Sequence, residues 1–279
     1  MSMLLTKRLA RSLWRTKLRL SAVVLMVAIG VFAGIAFGAY ANSVTTLLDD
    51  VYADDEDGLN LPDLWVENSA GNWNQSTAED LCQEIRNQWP DGELELNHCE
   101  PRLVTTGQLY SPIADIGMVS AVWHGIDEGN VDKVWIPDHD CCSGRLAAND
   151  SEIVIDEHAV HALKIALGDT VRISAGGGFS LDYTVVGIGY HSNHLYFAAD
   201  GELLPAQPGT LVTGYMTSEG LEKIANYSAG ASNQLLLDIV GTPDSQDPDN
   251  SGLSTLKENI SAIVVEVDDS PMIVYDRSG

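Results

Sequence analysis

The sequence predicts an α+β protein in which one N-terminal transmembrane helix precedes a mixed, β-rich extracytoplasmic domain. Three observations lead there. Leu20 to Leu48 is a run of 29 residues without an ionisable charge. Charge divides around that run. Lys7, Arg8, Arg11, Arg15, Lys17 and Arg19 stand before it with no acid ahead of Asp49, whereas from residue 20 onward nine basic groups face all 40 acidic ones, a net of −31. Beyond the run, strand-like patterns dominate and helices interrupt them without regular alternation, which favours α+β over a doubly wound sheet. The total of −25 over 279 residues argues against nucleic acid as a partner, because phosphate binding needs clustered cations. At 45% hydrophobic residues the chain carries enough apolar mass for a core.

The apolar heart, Leu20 to Tyr40, reads LSAVVLMVAIGVFAGIAFGAY and has no polar stripe of the kind a water-soluble helix keeps. About 20 such residues at about 1.5 Å each cross a hydrocarbon layer of about 30 Å. Ahead of it, Leu5, Leu9, Leu13 and Trp14 alternate with the six cations, a pattern suited to an anionic membrane surface. A positive flank stays cytoplasmic, so residues 1–19 are expected inside, 20–41 across, and 42–279 outside. Ala39-Tyr40-Ala41 has the form of a signal-peptidase site, but the apolar region is longer than the about 7–15 residues of a signal, which favours an uncleaved anchor. Gly30, Gly34 and Gly38 recur at four-residue spacing, either a close-packing face or the ordinary tolerance of spanning helices for glycine.

In the exported part, Leu64 to Asn68 reads as a strand and Thr77 to Trp89 as a helix opened by Ser76-Thr77 with Glu79 behind it. Glu93 to Thr106 and Ile116 to Ile126 read as strands. Ile153 to Asp156 is a strand feeding a helix, Glu157 to Leu167, which Gly168 should stop. Thr170 to Ser174, a Gly176-Gly177-Gly178 turn and Leu181 to Tyr190 form a hairpin. Thr210 to Met216 is a strand, Ser218 to Ala225 a helix, Gln234 to Val240 a strand, Leu253 to Ala262 a helix and Met272 to Tyr275 a last strand. Cys82 on the first of these helices and Cys99 on the next strand lie at compatible heights for a disulfide; Cys141 and Cys142 are adjacent, and their partners are not legible. Without a CxxC pair, structural zinc is not expected.

Few motifs carry chemistry. His158 and His161 stand three apart, as do His191 and His194, but metal binding needs three or four converging ligands and no H-E-x-x-H occurs, so surface or interface histidines are the better reading. Asp247, Asp249, Ser251 and Glu258, with Gly252 between, meet the spacing of a calcium loop. Ser254 replaces the usual aliphatic anchor and a strand, not a helix, enters the loop, so an acidic linker with a helix cap is preferred. Asn74, Asn149, Asn226 and Asn259 each head an N-x-[ST] sequon, permitting glycosylation on an exported face. No G-x-S-x-G, Cys/His pairing or apolar carboxylate pair stands out, so no catalytic residue and no cofactor are assigned. A P-loop is also missing, so the chain has no ATPase of its own.

The run Cys142-Ser143-Gly144-Arg145-Leu146, then EIVIDEHAVHALKIALGDTVRIS, then YTVVGIGYHSNHLYFA, resembles the MacB-like periplasmic core domain of FtsX-type ABC transporter permeases. The family's GR turn, Leu-Gly-Asp turn and VVG strand fall on Gly144-Arg145, Leu167-Gly168-Asp169 and Val185-Val186-Gly187, and the basic N-terminus with one span resembles the family's start. On physical grounds Gly168 can take the left-handed conformation, Asp169 can accept backbone N–H groups in the turn, and Arg145 either ties two loops or is a solvated surface arginine. The resemblance, over about residues 4 to 279, implies two lobes in 42–279. It also implies a second permease subunit as partner, a separate cytoplasmic ABC ATPase that alone would use ATP, and export or extraction of lipid, lipoprotein, peptide or drug cargo from the cell membrane. Family members carry four spans and this sequence one, so the chain is expected to be either a fragment ending before the remaining permease spans, the simpler reading, or a one-span relative. Two other classes compete: a membrane-anchored exported hydrolase, metal-assisted through His191, His194 or the Asp247 loop, and a binding or adhesion module released after Ala41.

Overall fold

The computed structural model describes residues 17–51, 59–92, 94–113, 116–127, 129–136, 142–176, 179–191, 207, 209–240 and 251–276. The amphipathic segment 1–16 and the expectations for Cys141, Gly177, Gly178, His194, Asp247 and Asp249 lie outside the described residues. The chain divides into two compact units, 1–51 and 52–279.

In the first unit α1 (Lys17–Val51) is one continuous helix of 35 residues. Within it Ser21–Tyr40 has a mean hydropathy of 2.5, and none of that stretch is buried against protein. Twenty residues at about 1.5 Å match the about 30 Å of a bilayer interior, so this is a candidate membrane span.

The second unit is built on two interlocked patterns. The first is β1 (Leu64–Asn68), α2 (Gln75–Asn87), β2 (Glu95–Tyr110), β10 (Gln234–Val240), α5 (Ser251–Val267) and β11 (Met272–Asp276). Its strands run in the order β11-β1-β10-β2, every pair antiparallel. That is the split βαβ, ferredoxin-like arrangement, here with residues 111–233 inserted between β2 and β10. Leu64, Val66, Leu235, Leu237 and Ile239 face Leu81, Ile85, Leu256, Ile260 and Val264 of the two helices in one core. The Cys82–Cys99 disulfide ties α2 to β2, as the spacing allowed. Cys142 is also disulfide-bonded.

The inserted chain forms a barrel. The second half of β2 pairs with β3 (Met118–Gly125), β3 with β9 (Leu211–Met216), β9 with β6 (Glu152–Asp156), β6 with β8 (Ser180–His191), β8 with β7 (Thr170–Ala175), and β7 returns to β2. Ring closure leaves none of these strands as a bare edge. Inward positions alternate as strand geometry requires: Val119, Ala121 and Trp123 from β3, Ile153 and Ile155 from β6, Val171 and Ile173 from β7. Short helices α3 (Glu157–Leu163) and α4 (Ser218–Ala225) add Leu163, Leu221 and Ile224 to that core, while β4 (Val134–Trp135) and β5 (Ser143–Gly144) pair along β8. β2 belongs to both patterns. Its 16 residues span about 50 Å, one continuous strand through sheet and barrel.

Several boundaries differ from expectation. Helix α2 begins two residues early because Asn74, not Ser76-Thr77, is its cap: the Asn74 Oδ1 accepts from Thr77 N at 3.0 Å. Helix α3 stops at Leu163, four residues short of the expected Leu167. Lys164 takes the left-handed conformation (φ 56°), and Ile165 N reaches back to Val160 O at 3.1 Å while its side chain is buried, a Schellman-type ending that needs no glycine. Gly168 (φ 86°) serves the next turn instead. Helix α5 runs on from the expected Ala262 to Val267, because Ile263 and Val264 continue its buried face.

Candidate functional site

The residues that carry the family resemblance converge on one strand. Gly144 pairs with Gly187 across β5 and β8, and Arg145 N donates to Val186 O at 3.0 Å. Gly144 sits at φ 102°, open to glycine alone, and a side chain at Gly187 would run into the Arg145 carbonyl. Gly168 N donates to Val185 O at 2.8 Å, Val185 N to Asp169 O at 2.9 Å, and Asp169 Oδ2 accepts from Ala166 N at 2.8 Å. The GR, LGD and VVG segments therefore form a single knot around β8. Arg145 ties loops: its guanidinium grips both oxygens of Glu152 at 2.6 Å and the Leu146 carbonyl at 2.9 Å. Held by Arg145 and by Ala148 N–H, the Glu152 carboxyl falls to about 2.

Among the described residues, His158 and His161 join no metal-ligating group. His158 Nδ1 lies 2.8 Å from Asp156 Oδ1, and this bond raises its pKa; His161 Nε2 lies 2.9 Å from Glu157 Oε1. Each thus sits on its own carboxylate, and the His191 side chain lies outside the described residues. Of the calcium-loop residues only Ser251 and Glu258 are described: Ser251 starts α5 and Glu258 lies exposed on it. Among the described residues no group of three or more His, Cys, Asp or Glu could hold a metal. All four sequon asparagines are exposed.

A buried polar seam escaped the sequence. It lies on the helix-free face of the β11-β1-β10-β2 sheet, where chain 129–133 packs beside 59–63. Asp132 N donates to Asn60 O at 2.7 Å and Lys133 N to Leu59 O at 2.9 Å. Glu100 receives Asn130 N at 2.7 Å, and Arg102, only 4% exposed, donates to Val131 O at 2.9 Å with Asp132 Oδ2 at 3.5 Å. Burial lowers the Arg102 pKa, opposed first by Asp132 and then by Glu100 and Asp127. Trp65, stacked on Tyr275 at 5.5 Å, packs there with Leu236 and Val131. The available signal was an acid or a cation inside an apolar strand: Asp238 in LLLDIV and Arg102 before LVTT.

On α1, Val23, Val24, Val27, Val31, Phe32 and Ile35 are exposed apolar side chains, and Gly30, Gly34 and Gly38 face open space. One candidate membrane-spanning helix followed by a sheet-rich α+β domain is the class of chain that these elements define. The periplasmic region of MacB from Actinobacillus actinomycetemcomitans is similar in structure, at 14% identity over 76% of this chain and 87% of that one, with a TM-score of 0.41. No family model matches the chain, and no curated protein matches it in sequence.

Proposed function

We propose that this chain is the first membrane span and extracytoplasmic core domain of an ABC transporter permease subunit. What carries the reading is the knot around β8: the two turns and the strand quoted for the permease family are brought together by backbone bonds, downstream of one apolar helix. Residues 1–19 stay cytoplasmic and 42–279 project from the cell membrane. A second such subunit pairs with it, and a separate cytoplasmic ATPase supplies the work. The chain itself transmits force and binds cargo without catalysing a reaction. β2 suits that role. A strand bonded on both sides, running through sheet and barrel, moves the two together and does not let them slide.

The test is affinity purification of the full-length chain from native membranes in mild detergent. The reading expects co-purification of a P-loop ATPase and ATP hydrolysis in the eluate. Both should be lost when the span is exchanged for an unrelated apolar helix. Recovery of the chain without any nucleotide-hydrolysing partner contradicts it.

A further inference from the structure

We propose that Asn149 is a glycosylation site, whose amide nitrogen accepts a glycan from a lipid-phosphate-linked donor at the outer face of the membrane. This rests on the reading that 42–279 project from the cell membrane. All four sequon asparagines are exposed, so accessibility does not separate them. Their backbones do. A glycan-transferring enzyme must take the asparagine and the hydroxyl residue two places on into its own active site, which favours a sequon in an exposed loop over one held in regular structure. Asn259 lies inside α5, where the Ser261 hydroxyl donates to Lys257 O at 2.7 Å. Asn74 caps α2, and Ser76 belongs to that helix's first turn. Asn226 is the left-handed cap of α4 (φ 59°), and the N–H groups of Asn226 and Tyr227 both donate to Glu222 O. Modification at any of these three has to unwind helix.

Asn149-Asp150-Ser151 belongs to no helix or strand. It lies in chain 145–151 between β5 and β6. Asn149 Oδ1 accepts from Ser151 N at 3.2 Å and from Ser151 Oγ at 2.8 Å, an Asx turn that holds the acceptor amide and the sequon's hydroxyl together in one compact bend. The middle residue is drawn aside, the Asp150 carboxylate lying 2.5 Å from Lys223 Nζ. In the transfer a bond forms from Asn149 Nδ2 to the anomeric carbon of the first sugar, and the bond from that carbon to the donor's phosphate oxygen breaks. The lipid phosphate leaves with the electron pair, and the amide gives one proton to a base of the transferring enzyme. The product keeps Oδ1 and one N–H. Both bonds from Ser151 therefore survive, and a donor remains for Glu152, whose carboxyl Asn149 helps to hold low. A glycan there keeps this loop and the adjoining Lys223 of α4 in water, outside any interface with a second subunit.

The experiment takes the full-length chain from its native membranes. Trypsin cuts after Arg145 and Lys164, so one peptide, 146–164, carries Asn149 and no other sequon, and mass spectrometry with fragmentation that preserves the sugar reads the site directly. A glycan on Asn149 in most copies, and none on Asn259, is expected. Ser151→Ala should abolish the modification with Asn149 still in place, and Ser151→Thr should retain it. Ser151 is exposed, so both variants should melt like the parent. The proposal is overturned by a bare Asn149, by a glycan that persists in Ser151→Ala, or by a glycan on Asn259 in place of Asn149. Protease added to intact cells separates the two ways of failing. A bare Asn149 in a chain whose domain is cut from outside overturns this proposal alone, whereas a bare Asn149 in a chain protected until lysis overturns the outward placement with it.

Discussion

Replacing Gly214 by alanine should unseat Trp123, the largest side chain inside the barrel. The indole is fully buried and its Nε1 donates to Ser174 O at 2.8 Å. It lies over Gly214 of β9, directly paired with it across the ladder, and a Cβ there would sit 2.6 Å from Cζ3 and 2.8 Å from Cε3. Ordinary carbon contacts lie at about 3.5–4.0 Å, so the ring must withdraw by about 1 Å. It has nowhere to go. On its other edge Gly107 of β2 stands so close that a Cβ there would be 2.9 Å from Cδ1. Overpacking of about 1–3 kcal/mol, with loss of a hydrogen bond of about 1 kcal/mol, gives a total near 2–4 kcal/mol. Trp123→Leu alone also destabilises, but in that background the added methyl has room and should cost less than about 1 kcal/mol. Urea unfolding of the four chains, followed by circular dichroism in detergent, gives the cycle. A coupling of at least about 1.5 kcal/mol is expected, and additivity within about 0.5 kcal/mol refutes the barrel packing described above.

Other outcomes follow from the same contacts. Opening Cys82–Cys99 by the double substitution Cys82→Ala with Cys99→Ala, which releases a loop with a sequence separation of 17, should cost about 3 kcal/mol in a denaturant titration without reductant; a loss under about 1 kcal/mol contradicts it. Glu152 is held at about 2 by Arg145, so its contribution is complete above its ordinary value of 4.5 and disappears as pH falls toward 2. Glu152→Gln should flatten stability over that window. His158 runs the other way. Its pKa is raised by Asp156, so its contribution is complete below the ordinary 6.5 and is lost as pH climbs through the elevated value. His158→Gln should remove that alkaline slope, and an unchanged slope would mean the Asp156 contact is not formed.

What the sequence made legible was whatever local chemistry determines. The bounds of β1, α4 and β10 match the expectation residue for residue, because Thr217 and Asn226 cap α4 and apolar runs bounded by polar residues mark the strands. Helix α3 misled because Gly168 looked like its stop, whereas burial of Leu163 and Ile165 forces the turn earlier, through Lys164. The strand expected to end at Thr106 continues to Tyr110, and Gly107 within it is the gap that admits Trp123. Barrel closure depends on pairings such as β2 with β7 and β3 with β9, between residues far apart in the chain, and no local pattern records them. The seam was hidden for a related reason. Asp238 looks anomalous in its apolar strand, but Asn60, Asp63 and Asn97 become its neighbours only once three distant segments meet.

The central claim is that the apolar helix crosses a membrane and leaves the acid-rich domain outside. Its most direct measurement is protease digestion of intact cells carrying the full-length chain, tagged at both ends, with carbonate-washed membranes as control. The account predicts that residues beyond about 42 are trimmed from outside, that the N-terminal tag is protected until the cells are opened, and that the chain stays in the membrane pellet at alkaline pH. A domain that resists protease until lysis, or a chain released by carbonate, contradicts it.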